Sequence, residues 1–326
     1  MRKATSLISA LILVLAVSSL PLHAAATGHF ERTLQVSGTV DLEVSSGSGE
    51  ITVRTGANNT VSVSARIHAS SGSWLFGGNE EENIRKIEKN PPIEQQGNTI
   101  RIGRIEESEL IRHISIDYEL TVPAQTKLNA HTGSGGISVN GLQLPLTAKT
   151  GSGGITVENI GAEARISSGS GGLTIHGVKG SLHAETGSGS IHGDGVAGEI
   201  VATTGSGSVE LEQIAPGDTR VETGSGSVRL RGIKGGLRVS TGSGGIHAEG
   251  EPTHDWHLGA GSGSITLKVP AQASFNLDAR TSSGTLTVNH QVTMQGAISK
   301  NHIQGKVGNG GVIMDVHTGS GNIAID

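Results

Sequence analysis

The sequence predicts an all-β protein, a parallel β-solenoid (β-helix) built from rungs of about 18 residues with two strands each. A stretch of Thr-Gly-Ser-Gly followed by a short apolar strand recurs in steps of 18 or 19 residues. The 51 glycines follow this period, and aromatic residues make up only 2% of the chain, so any core must be thin and aliphatic. A fixed period of this size is typical of stacked repeats. The copies begin at Thr132, Thr150, Ser168, Thr186, Thr204, Thr223 and Thr241.

Each copy shows two strands around one corner. With the Thr as position zero, apolar residues occupy −4, −2, +5 and +7, as in Leu146, Ala148, Ile155 and Val157. This period of two on both sides of Gly-Ser-Gly predicts two strands, each with one face inward. We expect the glycines to supply positive φ at the corner and the Thr hydroxyls to bond corner amides. A further apolar column at +10 comprises Leu142, Ile160, Val178, Val196, Ile214 and Ile233.

Residues 1–26 are predicted to be a signal peptide. Arg2 and Lys3 precede an apolar run over 7–17, and small residues follow at 24–26. The run is shorter than the roughly 20 residues that a membrane-spanning helix needs. The chain has no cysteine, which excludes a lipoprotein anchor. We therefore expect export to the periplasm, the cell surface or the medium, and no transmembrane segment in the mature chain.

An N-terminal β region is predicted over 28–122, with an isolated corner copy at 46–49. Residues 70–111 break the pattern and are interpreted as an insertion that caps the stack, because terminal units of repeat proteins are atypical. One short helix is predicted within it, over 80–89, with Ile84 and Ile87 on one face and Pro91 beyond its end. Trp74 and Phe76 precede this helix. They are either core residues or a ligand loop.

The solenoid repeats are predicted to run over 123–289, followed by degenerate C-terminal rungs or a cap over 290–326. The last copy begins at Thr318, and the chain stops at Asp326. Exposed edge strands are usually protected. Either residues 290–317 fold back as a cap, or the end pairs with another chain and gives end-to-end self-association.

Composition and motifs exclude several functions. Without the signal peptide the chain carries 22 basic and 29 acidic residues, which argues against a nucleic-acid partner because that needs a basic patch. The G-x-G-x-x-G match at 193–198 leads into another strand rather than a helix, so it does not indicate a dinucleotide site. The corners carry no Asp, as a calcium-loaded roll would require. We predict no catalytic residues, cofactor or metal site.

His254, Trp256 and His257 lie where the repeat spacing widens. A loop on a regular rod is where specificity is usually placed, so these residues join Trp74 and Phe76 as the candidate ligand surface. The alternative is a surface turn with Trp256 at the −4 core position.

Several segments resemble a known family. They are the residues Tyr-Glu-Leu-Thr-Val-Pro at 118–123, the corner copy at 132–139, Leu-Lys-Val-Pro at 267–270 and the stretch 303–311 before the last copy. Together they are similar to exported bacterial β-strand-repeat proteins labelled "putative adhesins", a domain family of unknown function. The resemblance covers most of the mature chain. It implies a β-solenoid in a cell-envelope setting and brings no catalytic residues with it.

Two functions are compatible with these patterns. The first is an exported, non-enzymatic scaffold, adhesin or binding surface whose partner is an envelope polysaccharide or a surface protein. The second is a carbohydrate-active β-helix enzyme, a polysaccharide lyase or hydrolase. Such an enzyme needs either paired carboxylates or a metal ion with a catalytic base beside it. The outward columns show no concentrated acidic pair and almost no aromatic residues, which favours the first function.

Overall fold

The computed structural model describes residues 27–69, 79–105, 113–294 and 299–326. Apart from one helix, the regular elements in these ranges are β-strands, which confirms the all-β class. Trp74, Phe76 and the predicted signal peptide lie outside the described residues. In chain order the N-terminal elements are β1 (Thr27–Gln35), β2 (Val40–Ser46), β3 (Ile51–Thr55), β4 (Thr60–Ala69), α1 (Glu80–Lys89), β5 (Ile93–Gln96), β6 (Thr99–Ile102) and β7 (Ile114–Val122).

Short strands follow one another through the rest of the chain. The repeats form β8 (Thr126–Thr132), β9 (Ile137–Asn140), β10 (Leu146–Thr150), β11 (Ile155–Ile160), β12 (Ala164–Ser168), β13 (Leu173–Val178), β14 (Leu182–Thr186), β15 (Ile191–Val196), β16 (Ile200–Thr204), β17 (Val209–Gln213) and β18 (Thr219–Thr223). The C-terminal elements are β19 (Val228–Ser243), β20 (Ile246–Ser262), β21 (Ile265–Lys268), β22 (Phe275–Ser283), β23 (Leu286–Val288), β24 (Val292–Met294), β25 (His302–Val307), β26 (Val312–Ser320) and β27 (Ile323–Ile325).

The repeats stack in a solenoid-like array. Leu128 lies beside Leu146, which lies beside Ala164, and these pairings are parallel. After the corner, Ile137, Ile155 and Leu173 form a second parallel ladder. Equivalent residues of successive copies are therefore neighbours, and the inward positions form continuous apolar columns. Those positions are buried along the array, so each copy completes the core of the next.

One column member departs from the prediction. Ile214, expected at the buried +10 position, is 59% exposed. Gln213 takes its place beside Val196, only 2% exposed. The Gln213 amide donates to the carbonyls of Gly198 and Gly217, each at 3.0 Å. The one 19-residue step in the array thus shifts the register at this turn, and a hydrogen-bonded amide replaces an apolar side chain.

The corner is held by the buried Thr at position zero. The Thr150 hydroxyl accepts from the amide of Gly153, three residues ahead, at 3.1 Å. It also donates to the carbonyl of Gly135 in the preceding copy, at 2.8 Å. The predicted bond to a corner amide is confirmed, and each hydroxyl additionally links two copies. The same link is made by Thr132, Ser168, Thr186, Thr204, Thr223, Thr241, Thr281 and Thr318.

The corner glycines of the earlier copies serve close approach rather than positive φ, whereas Gly244, Gly263, Gly284 and Gly321 at the corners of the last copies have φ values between 150° and 158°. Gly151 and Gly153 do not have positive φ, so the expectation of a left-handed corner is wrong for this copy. A Cβ on Gly153 would instead lie 1.9 Å from the carbonyl oxygen of Gly135 in the copy before. Positive φ occurs at the opposite turn of the rung, at Gly141, Asn159, Gly177, Gly195 and Gly232.

At the N-terminal end the order in space differs from the order in the chain. The rung formed by β2 and β3 lies between the rung of β6 and β7 and the rung of β8 and β9. Beyond it, β4 pairs antiparallel with β7, β1 pairs with β4, and β5 pairs with β6. The first corner copy is therefore enclosed by neighbours on both sides.

Helix α1 spans the predicted residues 80–89. It buries Ile84 and Ile87 and contacts β1. Gly28 permits this contact, because a Cβ there would lie 2.4 Å from Cγ2 of Ile84. The Glu88 carboxylate also accepts from the backbone amide of His29 at 2.9 Å. The helix thus packs on the outermost strand of this end.

The C-terminal end is interleaved in the same way. The rung of β26 and β27 lies between the rung of β20 and β21 and the rung of β22 and β23. The last strand, β27, is therefore paired on both sides, with β21 and with β23. Strand β25 pairs antiparallel with β22, and β24 pairs with β25. This fold-back covers the outer edge of β22.

Candidate functional site

A bulge interrupts the array between β19 and β20. Gly235 lies opposite Pro252, and Leu237 lies opposite Trp256. Three residues, Thr253, His254 and Asp255, therefore face the single residue Gly236. Bulges of this kind re-aim side chains and bend the strand that carries them. Here the bulge forms one wall of an open groove.

Trp256 does not belong to the groove surface. Its side chain is fully buried at the −4 core position, and its indole N–H donates to the carbonyl of Gly235 at 3.0 Å. The prediction that Trp256 faces a ligand is wrong. The large ring fills the core where the register widens, and its one polar atom is bonded internally.

His254 and His257 both line the groove, which has a volume of about 470 Å³. The side chain of His254 is 73% exposed, and its Nδ1 lies 4.0 Å from Oδ1 of Asp218. His257 is less exposed, and its Nδ1 lies 3.8 Å from Oδ2 of Asp315. The other polar residues lining the groove are Glu199, Asp218, Thr219, Arg220, Arg238, Thr253 and Asp255.

Two of the groove carboxylates hold the backbone. Asp218 accepts from the amide of Gly236 at 2.7 Å, and Asp255 accepts from the amide of Ile313 at 2.8 Å. These bonds fix the turn before the bulge and attach the bulge to the interleaved last rung. Both carboxylates therefore have a structural role in shaping the groove.

Two other charged groups in the groove have no partner among the residues that the structure describes. Within the described ranges, neither Arg238 nor Glu199 makes a side-chain hydrogen bond or ion pair, whereas Arg220 is bound to Glu222 at 2.5 Å. Arg238 and Glu199 are thus the groove charges that a ligand can engage without breaking an internal bond.

Beside the groove, charged groups continue along the same outward column. Arg220, Arg238 and His257 occupy equivalent positions on successive rungs, followed by Asp315 and Asp278. A network links the end of this column, because Arg280 lies 3.3 Å from Asp315 and 3.4 Å from Asp278, and His302 lies 2.9 Å from Asp278. Sequence reasoning missed Asp315, because the interleaved rung brings it beside His257 from 58 positions away.

A buried hydroxyl at the N-terminal end was also missed. Tyr118 packs edge-on against Phe30 with ring centroids 6.4 Å apart, and its hydroxyl has no hydrogen-bond partner among the described residues. Burial raises the pKa of the Tyr118 hydroxyl above its ordinary range. The hydroxyl borders a cavity of about 290 Å³ lined by the first corner copy.

The described ranges contain neither a candidate metal-binding cluster nor a helix that could cross a membrane. In them, no three His, Cys, Asp or Glu side chains are grouped so that they could hold a metal ion. No helix there has the length and apolar character needed to cross a bilayer.

Three solved structures are similar to the chain at low identity. One, a "putative adhesin" from Bacteroides fragilis, is 14% identical over 92% of this chain and 97% of its own, with a TM-score of 0.36. A "putative cell adhesion protein" from Clostridium sporogenes is 11% identical over 91% and 99%, with a TM-score of 0.18. A "putative lipid binding protein" from Parabacteroides distasonis is 13% identical over 91% and 96%, with a TM-score of 0.40.

No curated protein matches the chain. Residues 41–326 match the family described as Toastrack DUF4097. The match spans the N-terminal rung of β2 and β3, the whole repeat array and the interleaved C-terminal end. The resemblance to a family of unknown function labelled as adhesins is thereby confirmed. The chain belongs to the Toastrack DUF4097 family.

Proposed function

We propose that the chain is an exported, non-enzymatic binding protein that holds an envelope polysaccharide in the groove beside the bulge. In this proposal the fold is a parallel β-solenoid of two-strand rungs of about 18 residues, which serves as a rigid support. The observation that carries the proposal is the pair of uncommitted charges, Arg238 and Glu199, in an open polar groove.

The column beside the groove favours a linear polar polymer. Arg220, Arg238 and His257 stand on successive rungs, about 4.8 Å apart by strand spacing. A guanidinium binds a carboxylate through two parallel hydrogen bonds, so Arg238 suits an acidic sugar. The imidazoles of His254 and His257 and the hydroxyl of Thr253 suit sugar hydroxyls.

Export and domain organisation complete the proposal. Residues 1–26 act as a signal peptide, 28–122 form the N-terminal β region with its insertion over 70–111, 123–289 form the repeats, and 290–326 close the stack. The mature protein then resides in the periplasm, on the cell surface or in the medium, without a lipid anchor.

The second candidate is a carbohydrate-active enzyme acting in the same groove. Glu199 is the one uncommitted carboxylate of the three in the groove, so the pair that such an enzyme needs would have to include Asp218 or Asp255. Each already accepts a backbone amide hydrogen that maintains the local fold. This structural use favours binding without turnover.

A glycan array combined with a polysaccharide degradation assay tests the proposal on purified residues 27–326. Arg238→Glu should weaken binding of acidic glycans at least tenfold, which corresponds to about 1.4 kcal/mol. Lys149→Glu is the matched control, because Lys149 is exposed on the same side of the array, rungs away from the groove. Cleavage of any polymer, or an equal loss in both variants, would contradict the proposal. Specific binding of a surface protein instead of a glycan would contradict the choice of a polysaccharide as the ligand.

A further inference from the structure

A second cavity lies at the N-terminal end of the stack, away from the groove. It has a volume of about 610 Å³ and is enclosed by the C-terminal half of α1, the turn after it, and the end of β6. This volume falls within the range of about 300–1,000 Å³ that is usual for small-molecule sites. The described residues that line it are Lys86, Ile87, Lys89, Asn90, Pro91, Pro92, Ile93, Glu94, Arg101, Arg104 and Ile105.

One part of the lining is apolar. Ile87 is a buried core residue, and Ile93 and Ile105 are partly buried and pack against the same core. Pro91 and Pro92 add apolar surface without donating backbone hydrogen bonds. An alkyl chain bound here would bury apolar surface of both the ligand and the cavity. Each Å² of apolar surface buried stabilises the complex by about 25 cal/mol.

The rim of the cavity is basic. Four cationic side chains and one carboxylate, Glu94, line it, although the whole chain has a net charge of −5. Lys86 is paired with Glu82 at 2.8 Å, and Arg101 is paired with Glu43 at 3.4 Å. Lys89 and Arg104 have no ion pair or side-chain hydrogen bond within the described ranges.

We propose that this cavity binds a single-chain anionic amphiphile, such as a fatty acid, as a monomer. Its acidic head lies against Lys89 and Arg104, and its alkyl chain lies along Ile87, Ile93 and Ile105. A mineral anion would use only the cations and leave the apolar lining wet. A neutral lipid would leave two uncompensated cations at the rim. The lining therefore selects a ligand that is both acidic and apolar.

Titration calorimetry with myristate, below its critical micelle concentration, tests the proposal on purified residues 27–326. Wild type should bind one equivalent, and the double variant Lys89→Glu with Arg104→Glu should bind at least tenfold more weakly. The matched control is Lys127→Glu with Lys149→Glu, two exposed lysines of the array that lie outside the cavity lining. The control should retain wild-type affinity.

Ligand variation tests the two halves of the site separately. Acetate should bind more than tenfold more weakly than myristate because it lacks the chain, and the methyl ester of myristate should also bind more weakly because it lacks the charge. Equal affinity of wild type and the cavity variant would overturn the proposal. Binding to phosphatidylglycerol vesicles without binding of monomeric myristate would overturn it as well. Loss of glycan binding in Arg238→Glu leaves this site intact, so the two proposals fail independently.

Discussion

The two turns of each rung contrast sharply in what they tolerate. At the Gly-Ser-Gly corner, successive backbones approach so closely that a Cβ on Gly171 would lie 1.9 Å from the carbonyl oxygen of Gly153. At the opposite turn, the positive-φ position holds Gly177 in one copy and Asn159 in another, and in a third copy Gln213 replaces an apolar residue of the neighbouring column. That turn also accepts an extra residue at 214–218 and the bulge at 253–255.

This difference indicates where a site specific for a ligand can lie on this fold. The corner repeats because each copy packs its backbone and its hydroxyl onto the copy before, so a change there affects two rungs. The opposite turn also has close backbone contacts, at Gly180, Gly198 and Gly217, but its length and its residue types vary from copy to copy. The groove with Arg238 and Glu199 opens on that permissive side. The conspicuous repeated motif is structural, and the irregular side carries the candidate site.

The largest expected effect is that of Gly171→Ala. The added methyl group meets backbone atoms of Gly153 and Gly154 rather than a movable side chain, so the rungs must separate. We expect a loss of about 3 kcal/mol or more in the free energy of unfolding, at or beyond the upper end of the usual cost of overpacking. Equilibrium denaturation in urea measures it.

The control for Gly171→Ala is its neighbour in the same corner. A Cβ on Gly172 would lie 3.5 Å from the carbonyl oxygen of Ser190, an ordinary contact. Gly172→Ala should therefore cost less than about 1 kcal/mol. Equal destabilisation by the two variants would show that the corner glycines serve flexibility rather than close approach.

A smaller effect is expected for Thr204→Val, which keeps the shape and removes the hydroxyl. The carbonyl of Gly189 and the amide of Gly207 each lose a partner. Leaving buried polar groups unpaired should cost about 2 kcal/mol. Thr203→Val, on the outward face of the same strand, provides the comparison and should change stability by less than about 0.5 kcal/mol. If Thr203→Val costs as much, the hydroxyl ladder does not hold the corner.

The smallest effect, of opposite sign, is expected beside the permissive turn. Thr219 occupies a −4 core position, where its buried hydroxyl has no partner among the described residues. Thr219→Val should raise the free energy of unfolding by about 1 kcal/mol, because it removes an unsatisfied polar group. Denaturation of this variant beside Thr204→Val compares two buried hydroxyls, one bonded and one not. A destabilised Thr219→Val protein would indicate that the hydroxyl finds a partner in solution.

Much of the fold follows from local pattern. The period of the corner and the alternation around it predict the strands and their inward faces, and Asn90-Pro91-Pro92 predicts the end of α1. The interleaved ends could not be predicted in this way. Nothing in the spacing indicates that Thr318 stacks between Ala260 and Thr281. That order depends on which strand edges of the stack remain unpaired when the last segment of the chain folds, and the repeat spacing does not encode this.

The sequence pattern indicated part of the proposed site. The widened spacing drew attention to His254 and His257, both of which line the groove. It could not distinguish them from Trp256, because a residue beside a bulge faces either way depending on how many residues the bulge absorbs. Arg238 was missed, since it occupies an ordinary outward position of a regular copy. Its significance depends on lacking a partner, which only the three-dimensional arrangement reveals.

One unbroken corner column runs through the stack in spatial order rather than chain order. The corner serine Ser320 lies beside both Ser262 and Ser283, which are themselves separated by its rung. Neighbouring rungs are about 4.8 Å apart, within disulfide range, whereas alternate rungs at about 10 Å lie beyond it.

Because the chain has no cysteine, disulfide formation between engineered pairs tests this order directly. Ser262→Cys with Ser320→Cys should oxidise to a single intramolecular disulfide in the native protein. Ser262→Cys with Ser283→Cys should remain reduced under the same conditions. A stack assembled in chain order would give the reverse, with a 262–283 disulfide and free thiols at 262 and 320.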